Sequence, residues 1–300
     1  MQPRDMVLAA LVAAIWGLAF VATKIGLESF SPAQLTALRF LIACFPVLVL
    51  PRPNVSWVRL LLIGMTLFTG QFLFLFFAFT LGMPPGVASV TQQMQVFFTV
   101  MLAAIFLREI PTARQSVGMA VAFVGLASIG LSVDASLTWL GLGLALAGAA
   151  SWAIGNVLVK RTPDVPMFAL MAWLSLVPPL PALAVASIFD QESSLFAAIA
   201  GATWTSLTAA IYLGAIATAL AYAIWGNLLT RYSAATVAPF ALIAPCVGVV
   251  GSAIAFDETF GALRYIGMFL IVTGVAIVVL PPSLGGLRGF IDPTASPRDD

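Results

Sequence analysis

Residues 104–131 read AIFLREIPTARQSVGMAVAFVGLASIGL and residues 253–280 read AIAFDETFGALRYIGMFLIVTGVAIVVL, so one motif occurs twice in the chain. At a constant offset of 149 the two stretches share nine identical residues in 28 positions. An apolar-biased composition gives roughly two or three identities by chance, so duplication explains the match. The identical pairs are Ala104/Ala253, Ile105/Ile254, Glu109/Glu258, Ala113/Ala262, Gly118/Gly267, Met119/Met268, Gly125/Gly274, Ala127/Ala276 and Leu131/Leu280.

The composition of the chain is that of a membrane protein. Hydrophobic residues fill 61% of the 300 positions and charged residues 8%, which is too little polar surface for a soluble globule of this size. A spanning helix needs about 20 mostly apolar residues, whereas barrel strands alternate in polarity over about 10. The apolar runs are residues 5–27, 33–50, 57–80, 85–107, 113–131, 137–159, 167–188, 203–229, 234–256 and 262–280.

These ten runs fall into two sets of five, one for each copy of the motif. Trp16 and Lys24 recur as Trp152 and Lys160, which extends the duplication to the first helix of each set. Because five is odd, the second copy enters the membrane from the opposite side. We predict an all-α polytopic membrane protein with ten transmembrane helices as two inverted five-helix repeats. Such a duplication gives two similar arrangements around a midplane site, the architecture of an alternating-access transporter.

The predicted repeats have definite boundaries. The first covers residues 5–131 and the second, inverted one covers residues 137–282. Residues 283–300, rich in Gly, Pro and Asp, are expected to form a disordered cytoplasmic tail. A signal peptide is the alternative interpretation of the first run, but that run is too long and contains a lysine.

Charged residues are distributed unequally between the two sides of the predicted membrane domain. Basic residues gather at the helix ends on the side of the N-terminus, whereas Arg264 is the one basic residue at the other ends. Those other ends instead carry Glu28, Asp134, Asp190, Glu192, Asp257 and Glu258. By the positive-inside rule we predict a protein of the cell (inner) membrane with both termini in the cytoplasm. The basic residues on the cytoplasmic side are Arg4, Arg52, Arg59, Arg108, Arg114, Lys160, Arg161, Arg231, Arg288 and Arg298.

Several short motifs resemble those of a known transporter family, the EamA branch of the drug/metabolite transporter superfamily. They are Ile15-Trp16-Gly17 followed by Phe20, Ala37-Leu38-Arg39-Phe40, and Glu109 followed by Gly118 and Gly125, which recur as Glu258, Gly267 and Gly274. The resemblance covers about residues 5–282 and implies a ten-helix exporter of small metabolites. Within the branch the chain is most similar to exporters of the YddG type, which implies efflux of aromatic amino acids and related compounds.

Polar and aromatic side chains at mid-membrane depth are candidates for the transport pathway. Two stripes consist of Gln71, Leu75 and Phe79 in helix 3, spaced i, i+4, i+8, and of Thr218, Tyr222 and Trp225 in helix 8. An amide halfway through hydrocarbon requires a polar or wet environment, so we expect the stripes to face a cavity. Aromatic bulk facing lipid or neighbouring helices is the alternative for most of the rings.

Three further helices contribute candidates of the same kind. They are Trp16 and Phe20 in helix 1, Ser89 and Gln92 in helix 4, and Trp152 and Asn156 in helix 6. Paired tryptophans at symmetric depths suit a flat aromatic ligand, although they suit helix packing nearly as well. A buried amide either bonds a neighbouring helix, which is worth about 0.6 kcal/mol on average, or lines a wet cavity.

Lys24 and Arg39 are the basic residues at membrane depth and are candidate charge partners for a substrate. A charge at the bilayer centre costs about 2.5–3.5 kcal/mol on insertion scales, so it usually faces protein or water. Lys24 is close enough to a helix end to extend its ammonium to the interface. Arg39 either bonds helix carbonyls or receives a substrate carboxylate. So few basic groups disfavour a multiply charged phosphate substrate.

The chain lacks the residue patterns of an enzyme. It has no histidine, no P-loop sequence and no acidic cluster at membrane depth, so we predict no catalytic residue, metal site or cofactor. We expect a small-molecule substrate and the lipid bilayer as partners, and no nucleic acid; the sequence does not determine self-association. Proton antiport and facilitated export stay open, as do a broad-specificity drug or cation exporter and a channel-like facilitator.

Overall fold

The computed structural model describes residues 1–134, 136–162, 165–190, 194–232 and 234–280, and this part of the chain is helical without a β-strand. Nine of its helices are long and apolar enough to cross a membrane, and a shorter apolar helix brings the number to ten. The predicted all-α, ten-helix architecture is confirmed. The tail predicted to be disordered lies outside the described residues.

We number these helices in chain order. They are α1 Pro3–Gly26, α2 Pro32–Leu48, α3 Trp57–Thr80, α4 Pro85–Leu107, α5 Ala113–Gly130, α6 Trp139–Lys160, α7 Met167–Phe189, α8 Trp204–Arg231, α9 Ala238–Phe256 and α10 Ala262–Val279. A short helix, Leu195–Gly201, lies between α7 and α8. We call the side at which α1 begins the N face and the other side the far face.

Local sequence fixes several helix ends. Ser31 and Gln34 form a capping box at the start of α2, and Thr112 and Gln115 form one at the start of α5. Each box satisfies two backbone groups that the helix leaves without intrahelical partners. At their other ends, α4 and α9 terminate on left-handed residues, Arg108 at φ 56° and Asp257 at φ 50°.

The helices pack with an internal two-fold relationship. α1 packs against α9 as α6 packs against α4, and α8 packs against α1 as α3 packs against α6. The left-handed ends also correspond, because Arg108 and Asp257 are separated by the repeat offset of 149. The structure is therefore built from two inverted halves, and each of these contacts between a helix of one half and a helix of the other has an equivalent with the roles of the halves reversed.

α5 and α10 meet along a line of glycines. A Cβ atom added to Gly125 would lie 2.6 Å from the carbonyl oxygen of Gly267, and one added to Gly267 would lie 2.6 Å from that of Gly125. The same reciprocity joins Gly118 and Gly274, at 2.7 and 2.5 Å. Since real Cβ atoms do not approach oxygen this closely, only glycine permits these backbones to touch. This glycine seam joins the two halves.

A polar cluster closes the seam at the far face. The buried Arg264 guanidinium lies 2.6 Å from Asp134 and donates to the Ser136 hydroxyl at 2.8 Å and the Ser132 carbonyl at 3.0 Å. Hydrogen bonds from the Ser136 hydroxyl and amide, together with Arg264, hold the pKa of the Asp134 carboxyl well below its ordinary value. The carboxylate therefore stays ionised at physiological pH and neutralises the buried arginine.

Two helices widen into π-helical turns, at Met65–Gly70 in α3 and Tyr212–Leu220 in α8. The hydroxyl of Thr69 donates to the Gly64 carbonyl at 3.2 Å, and that of Thr218 donates to the Leu213 carbonyl at 2.8 Å. Both bonds span five residues, and the two threonines differ by the repeat offset of 149. π-turns often occur at functional sites because they change which carbonyls a helix offers to its neighbours.

The glycine seam predicts a position-specific loss of stability. Gly125→Ala forces a methyl group against the Gly267 carbonyl oxygen, and we expect the protein to lose about 1–3 kcal/mol of stability. Gly143→Ala in α6 is the control, because in the described part of the chain no neighbouring element has an atom within 4 Å of its added Cβ. Thermal unfolding of both variants in the same detergent measures the difference; equal melting temperatures would contradict a tight seam.

Candidate functional site: a central cavity between the repeats

A cavity of about 380 Å³ lies between the two halves. Its walls come from α1 to α4 of the first repeat and α6 to α9 of the second. The surface is mostly apolar, with a few polar side chains reaching in. This size and character are those of a site for a small organic molecule.

The cavity brings together most of the residues singled out from the sequence. Its lining includes Trp16, Phe20, Arg39, Gln71, Leu75, Ser89, Gln92, Trp152, Asn156, Tyr222 and Trp225. Thr218 lies behind this surface and bonds Arg39. Phe79 and Lys24 instead line a second space of about 290 Å³ near the far face, together with Glu258. A role for any of them in transport stays a prediction.

Aromatic rings form one wall of the cavity. The Trp16 ring centroid lies 5.6 Å from that of Tyr222 and 5.0 Å from that of Trp225. The Trp16 indole N–H donates to the carbonyl of Ala217 at 3.0 Å, and Ala217 belongs to the π-turn of α8. The ring is thus fixed in position by the altered backbone of α8. A rigid aromatic wall suits a flat apolar group of a ligand.

The α-helical hydrogen-bond pattern of α4 is interrupted at the glutamines that line the cavity. The α-helix stops at Thr91 and resumes at Met94, and the intervening amide of Gln93 bonds the Val90 carbonyl three residues back. α9 has a 3-10 segment, Ala238–Leu242, at the equivalent depth. Irregular backbone at membrane depth occurs where it borders a cavity or protein, as it does here.

Gln71 and Gln92, which line this cavity, each have a buried amide oxygen without a partner in the described part of the chain. Gln92 donates its amide N–H to the Ala145 carbonyl at 3.0 Å, which leaves its oxygen unbonded within the described part of the chain. The oxygen of Gln71 is likewise unpaired there. Gln71 is 4% exposed and Gln92 is 2% exposed, so bulk water does not solvate them. An unpaired buried acceptor is costly, which makes these oxygens candidates for ligand contacts.

Arg39 brings a buried guanidinium into the same space. Its Nε donates to the Thr218 hydroxyl at 2.9 Å, and its guanidinium lies 4.0 Å from the ring centre of Phe72. The residue is 4% exposed, and no aspartate or glutamate belongs to the cavity lining in the described chain. The cavity therefore carries a positive charge that the protein does not neutralise locally.

Equivalent ion pairs lie at the two faces. Lys24 lies 3.4 Å from Glu258 at the far face, and Lys160 lies 2.6 Å from Glu109 at the N face. The pairs consist of duplicated residues, yet their surroundings differ. Glu258 also accepts hydrogen bonds from the Ser252 hydroxyl and from the amide of Gly86 at the start of α4. Its side chain is 10% exposed, whereas that of Glu109 is 49% exposed.

Direct helix packing closes the cavity toward the far face. A Cβ added to Gly17 in α1 would lie 2.5 Å from the Ala244 carbonyl oxygen in α9, and one added to Gly248 would lie 2.4 Å from Ser89 in α4. The Ser89 hydroxyl also reaches the Pro245 carbonyl at 3.3 Å. On the N-face side, the described residues of α4 and α9 form no comparable interface.

Some lining residues are not among the candidates named from the sequence. They are Ala19, Thr23, Leu67, Phe72, Phe76, Gln93, Gln95, Val159, Met167, Met171, Ala241 and Ala244. Most are ordinary apolar residues in helices that are apolar on every side, so periodicity cannot assign them to a cavity. Gln95 was visible as a mid-membrane amide; it accepts a hydrogen bond from the Asn156 amide at 2.9 Å. Among the described residues, no three His, Cys, Asp or Glu side chains are grouped to hold a metal ion.

Comparison with known proteins agrees with this architecture. A protein of Escherichia coli K12 named "Probable amino-acid metabolite efflux pump" is 38% identical over 286 residues, covering 93% of this chain and 96% of the relative. A "Probable terminal-alkyne amino-acid exporter" of Streptantibioticus cattleyicolor is 26% identical over 282 residues, with 89% and 91% covered. One solved crystal structure shares the fold with a TM-score of 0.64 at 19% identity, over 93% of this chain and 96% of the other.

The family comparison matches both halves separately. The EamA-like transporter family matches residues 4–131 and again residues 139–280, which together make up most of the chain. This agrees with a membrane-embedded molecule of two related halves around one cavity. The chain belongs to the EamA-like transporter family, as a multi-pass transporter of the inner membrane.

Proposed function

We propose that the protein exports amino acids, including aromatic ones, and related small metabolites by alternating access. The observation that carries the proposal is the central cavity, which has aromatic walls, a few polar groups and closure on one face only. The relatives named for amino-acid efflux or export support this substrate class. The repeats are proposed to span residues 5–131 and 137–282.

The substrate path is proposed to run through the cavity from the N face to the far face. The residues proposed to contact substrate are Trp16, Phe20, Gln71, Leu75, Ser89, Gln92, Trp152, Asn156, Tyr222 and Trp225, with Thr218 holding Arg39, and with Phe79 and Lys24 beside the exit. We infer from the positive-inside distribution that the N face is cytoplasmic and that both termini lie there. Transport in this direction is export.

The described conformation is then open to the cytoplasm. The packing of α1, α4 and α9 seals the far face, and Glu258 binds the start of α4 by accepting from the Gly86 amide at 3.2 Å. A carboxylate is stabilised at a helix N-terminus, so this contact favours closure. In the outward-open state we expect the equivalent Glu109 to make the corresponding contact with α9, because the two halves exchange conformations.

Three observations weigh against the other candidates. A broad-specificity cation exporter is disfavoured because the cavity holds a guanidinium and, within the described chain, no carboxylate in its lining. A channel-like facilitator requires a continuous pore, which the far-face packing interrupts. The missing carboxylate also favours export down the substrate gradient over proton antiport.

Counterflow into liposomes that contain the purified protein tests the function. We expect uptake of labelled tryptophan or phenylalanine into vesicles preloaded with the unlabelled amino acid. Gln92→Ala should lower this flux about tenfold, by removing a polar contact to a charged substrate, and Trp152→Ala should lower it several-fold. Trp204→Ala is the control, because Trp204 is 84% exposed at the start of α8. A broad amino-acid panel without flux above empty vesicles would refute the proposed substrate class.

Access to the cavity from one side is a second prediction. Asn156→Cys, in a Cys44→Ala/Cys246→Ala background, should react with a membrane-impermeant maleimide added at the cytoplasmic face about tenfold faster than with reagent added outside. Ile154→Cys is the control, because Ile154 on the same helix is 43% exposed on the outer surface of the bundle, where lipid excludes the reagent. Equal labelling from the two faces would contradict an inward-open state.

The Glu258 contact predicts a shift between the two states. Glu258→Gln retains a hydrogen-bond acceptor but removes the charge that Lys24 and the start of α4 bind. We expect labelling of Asn156→Cys from outside to rise about five- to tenfold, since closure of the far face is weakened. Glu109→Gln should not raise it, because Glu109 does not hold the far face. Identical labelling in both variants would contradict this role for Glu258.

A further inference from the structure

We propose that Arg39 receives the carboxylate of the substrate and that the amide oxygens of Gln71 and Gln92 receive its ammonium group. The inference rests on the proposed amino-acid export and specifies which chemical groups the site requires. The aromatic walls then contact the substrate side chain, while the polar residues select any molecule with a free α-amino and a free α-carboxyl group.

The geometry of Arg39 leaves donors free for a ligand. Nε is bonded to Thr218, and the guanidinium face lies over Phe72, but the two terminal nitrogens have no partner within the described part of the chain. A guanidinium carries five N–H donors in a fixed plane, and its terminal pair matches the two oxygens of a carboxylate. Four donor hydrogens therefore face a site that no protein acceptor fills.

The orientation of the guanidinium is set before a ligand arrives. Thr218 accepts from Arg39 and donates to the Leu213 carbonyl at 2.8 Å, a bond that exists because α8 is π-helical at this point. Phe72 packs against one face of the guanidinium, and its ring contacts Phe40 and Phe76. A preordered receptor loses less conformational entropy on binding.

Charge also indicates an anionic ligand group. The lining of the cavity contains no aspartate or glutamate in the described chain, so the Arg39 charge lacks a counter-ion there. A buried charge is usually paired with an opposite charge or with several hydrogen bonds. A substrate carboxylate supplies both, whereas an ester or an amide of the same substrate supplies no charge.

The glutamine oxygens favour a cationic ligand group, in contrast to Arg39, which favours an anionic one. An ammonium group has three donors and no acceptor, so it complements oxygens that lack a donor. The bond from Gln92 to the Ala145 carbonyl fixes which end of its amide is nitrogen, so its free atom is an acceptor. Gln71, which also lines the cavity, has a second buried oxygen without a partner in the described part of the chain. The proposed groups for the two charged ends of the substrate thus lie on different helices. The group for the anion is on α2, and the groups for the cation are on α3 and α4.

Wild-type protein provides the first test. Inhibition of tryptophan counterflow is measured with tryptophan methyl ester, tryptamine and 3-indolepropionate, which lack the carboxylate charge, the carboxyl group and the amine respectively. We expect each analogue to inhibit about ten- to hundredfold less strongly than tryptophan, as for loss of a hydrogen-bonded charged group. Inhibition by the ester equal to that by tryptophan would overturn the role of Arg39; equal inhibition by indolepropionate would overturn that of the glutamines.

Substitutions of Arg39 and Gln71 test whether these residues cause the preference for tryptophan over its analogues. Arg39→Gln should reduce the preference for tryptophan over its ester to about one, and Gln71→Leu should reduce the preference for tryptophan over indolepropionate while retaining that over the ester. Arg59→Gln, an exposed arginine at the start of α3, should change neither ratio. An unchanged ester ratio in Arg39→Gln would refute the assignment. If Arg39→Gln does not insert, Thr218→Val, which removes the anchor of Nε, must lower the same ratio.

Failure of the inference differs from failure of the proposed function. If no amino acid is transported by wild-type protein, the proposed function is wrong and the receptor has no amino-acid ligand. If tryptophan is transported but its ester competes equally, the function stands and the receptor assignment is wrong.

Discussion

Hydrocarbon offers no hydrogen-bond partner, and this constraint governs the polar groups of the bundle. Hydroxyls at membrane depth commonly bond a carbonyl of their own helix, as Thr23 does with Ala19 and Thr36 with Pro32, both at 2.7 Å. Against this background, the buried side-chain oxygens of Gln71, Gln92 and Thr91 are exceptions, because none has a partner in the described part of the chain. Gln71 and Gln92 line the cavity between the two halves, whereas Thr91 does not. Two of these three unsatisfied groups therefore belong to residues beside which a ligand can bind.

The duplication gives the two halves equivalent residues, and the conformation places these residues in different environments. Lys24 with Glu258 and Lys160 with Glu109 are the same pair in the two halves, but only the first lies at a sealed face. A chain of two inverted halves in an asymmetric state has a related second state in which the halves exchange roles. The inverted repeat thus provides two conformations without requiring separate sequences to encode them.

Much of the fold follows from the sequence, because helix length and apolar composition are strong signals in a membrane. The ten helices were predicted, and the repeated glycines of α5 and α10, which the sequence comparison picked out as identical pairs, form the packing seam between the halves in the structure. Most of the polar and aromatic residues singled out from the sequence line the cavity, but they make up only about half of its lining. Phe79 continues the stripe of Gln71 and Leu75 but lines the separate far-face space, because it lies about one helical turn nearer the far face than Leu75 does.

Other features leave little trace in a single sequence. The π-turns of α3 and α8 depend on how neighbouring helices compete for backbone carbonyls, so local propensity does not encode them. Phe72 and Phe76 lie in a run of aromatics in which every face looks alike. The absence of a counter-ion beside Arg39 in the described part of the chain depends on its three-dimensional neighbours, whereas the sequence shows only that an arginine is present.

The seam between α5 and α10 has a consequence for biogenesis. α5 is the last helix of the first half, and its glycine face has no partner until α10, the last helix of the chain, enters the membrane. At ordinary rates of synthesis this delay is on the order of ten seconds. During that interval a newly inserted first half presents a bare glycine groove to lipid and to other nascent helices, so protection by the insertion machinery matters most for this surface.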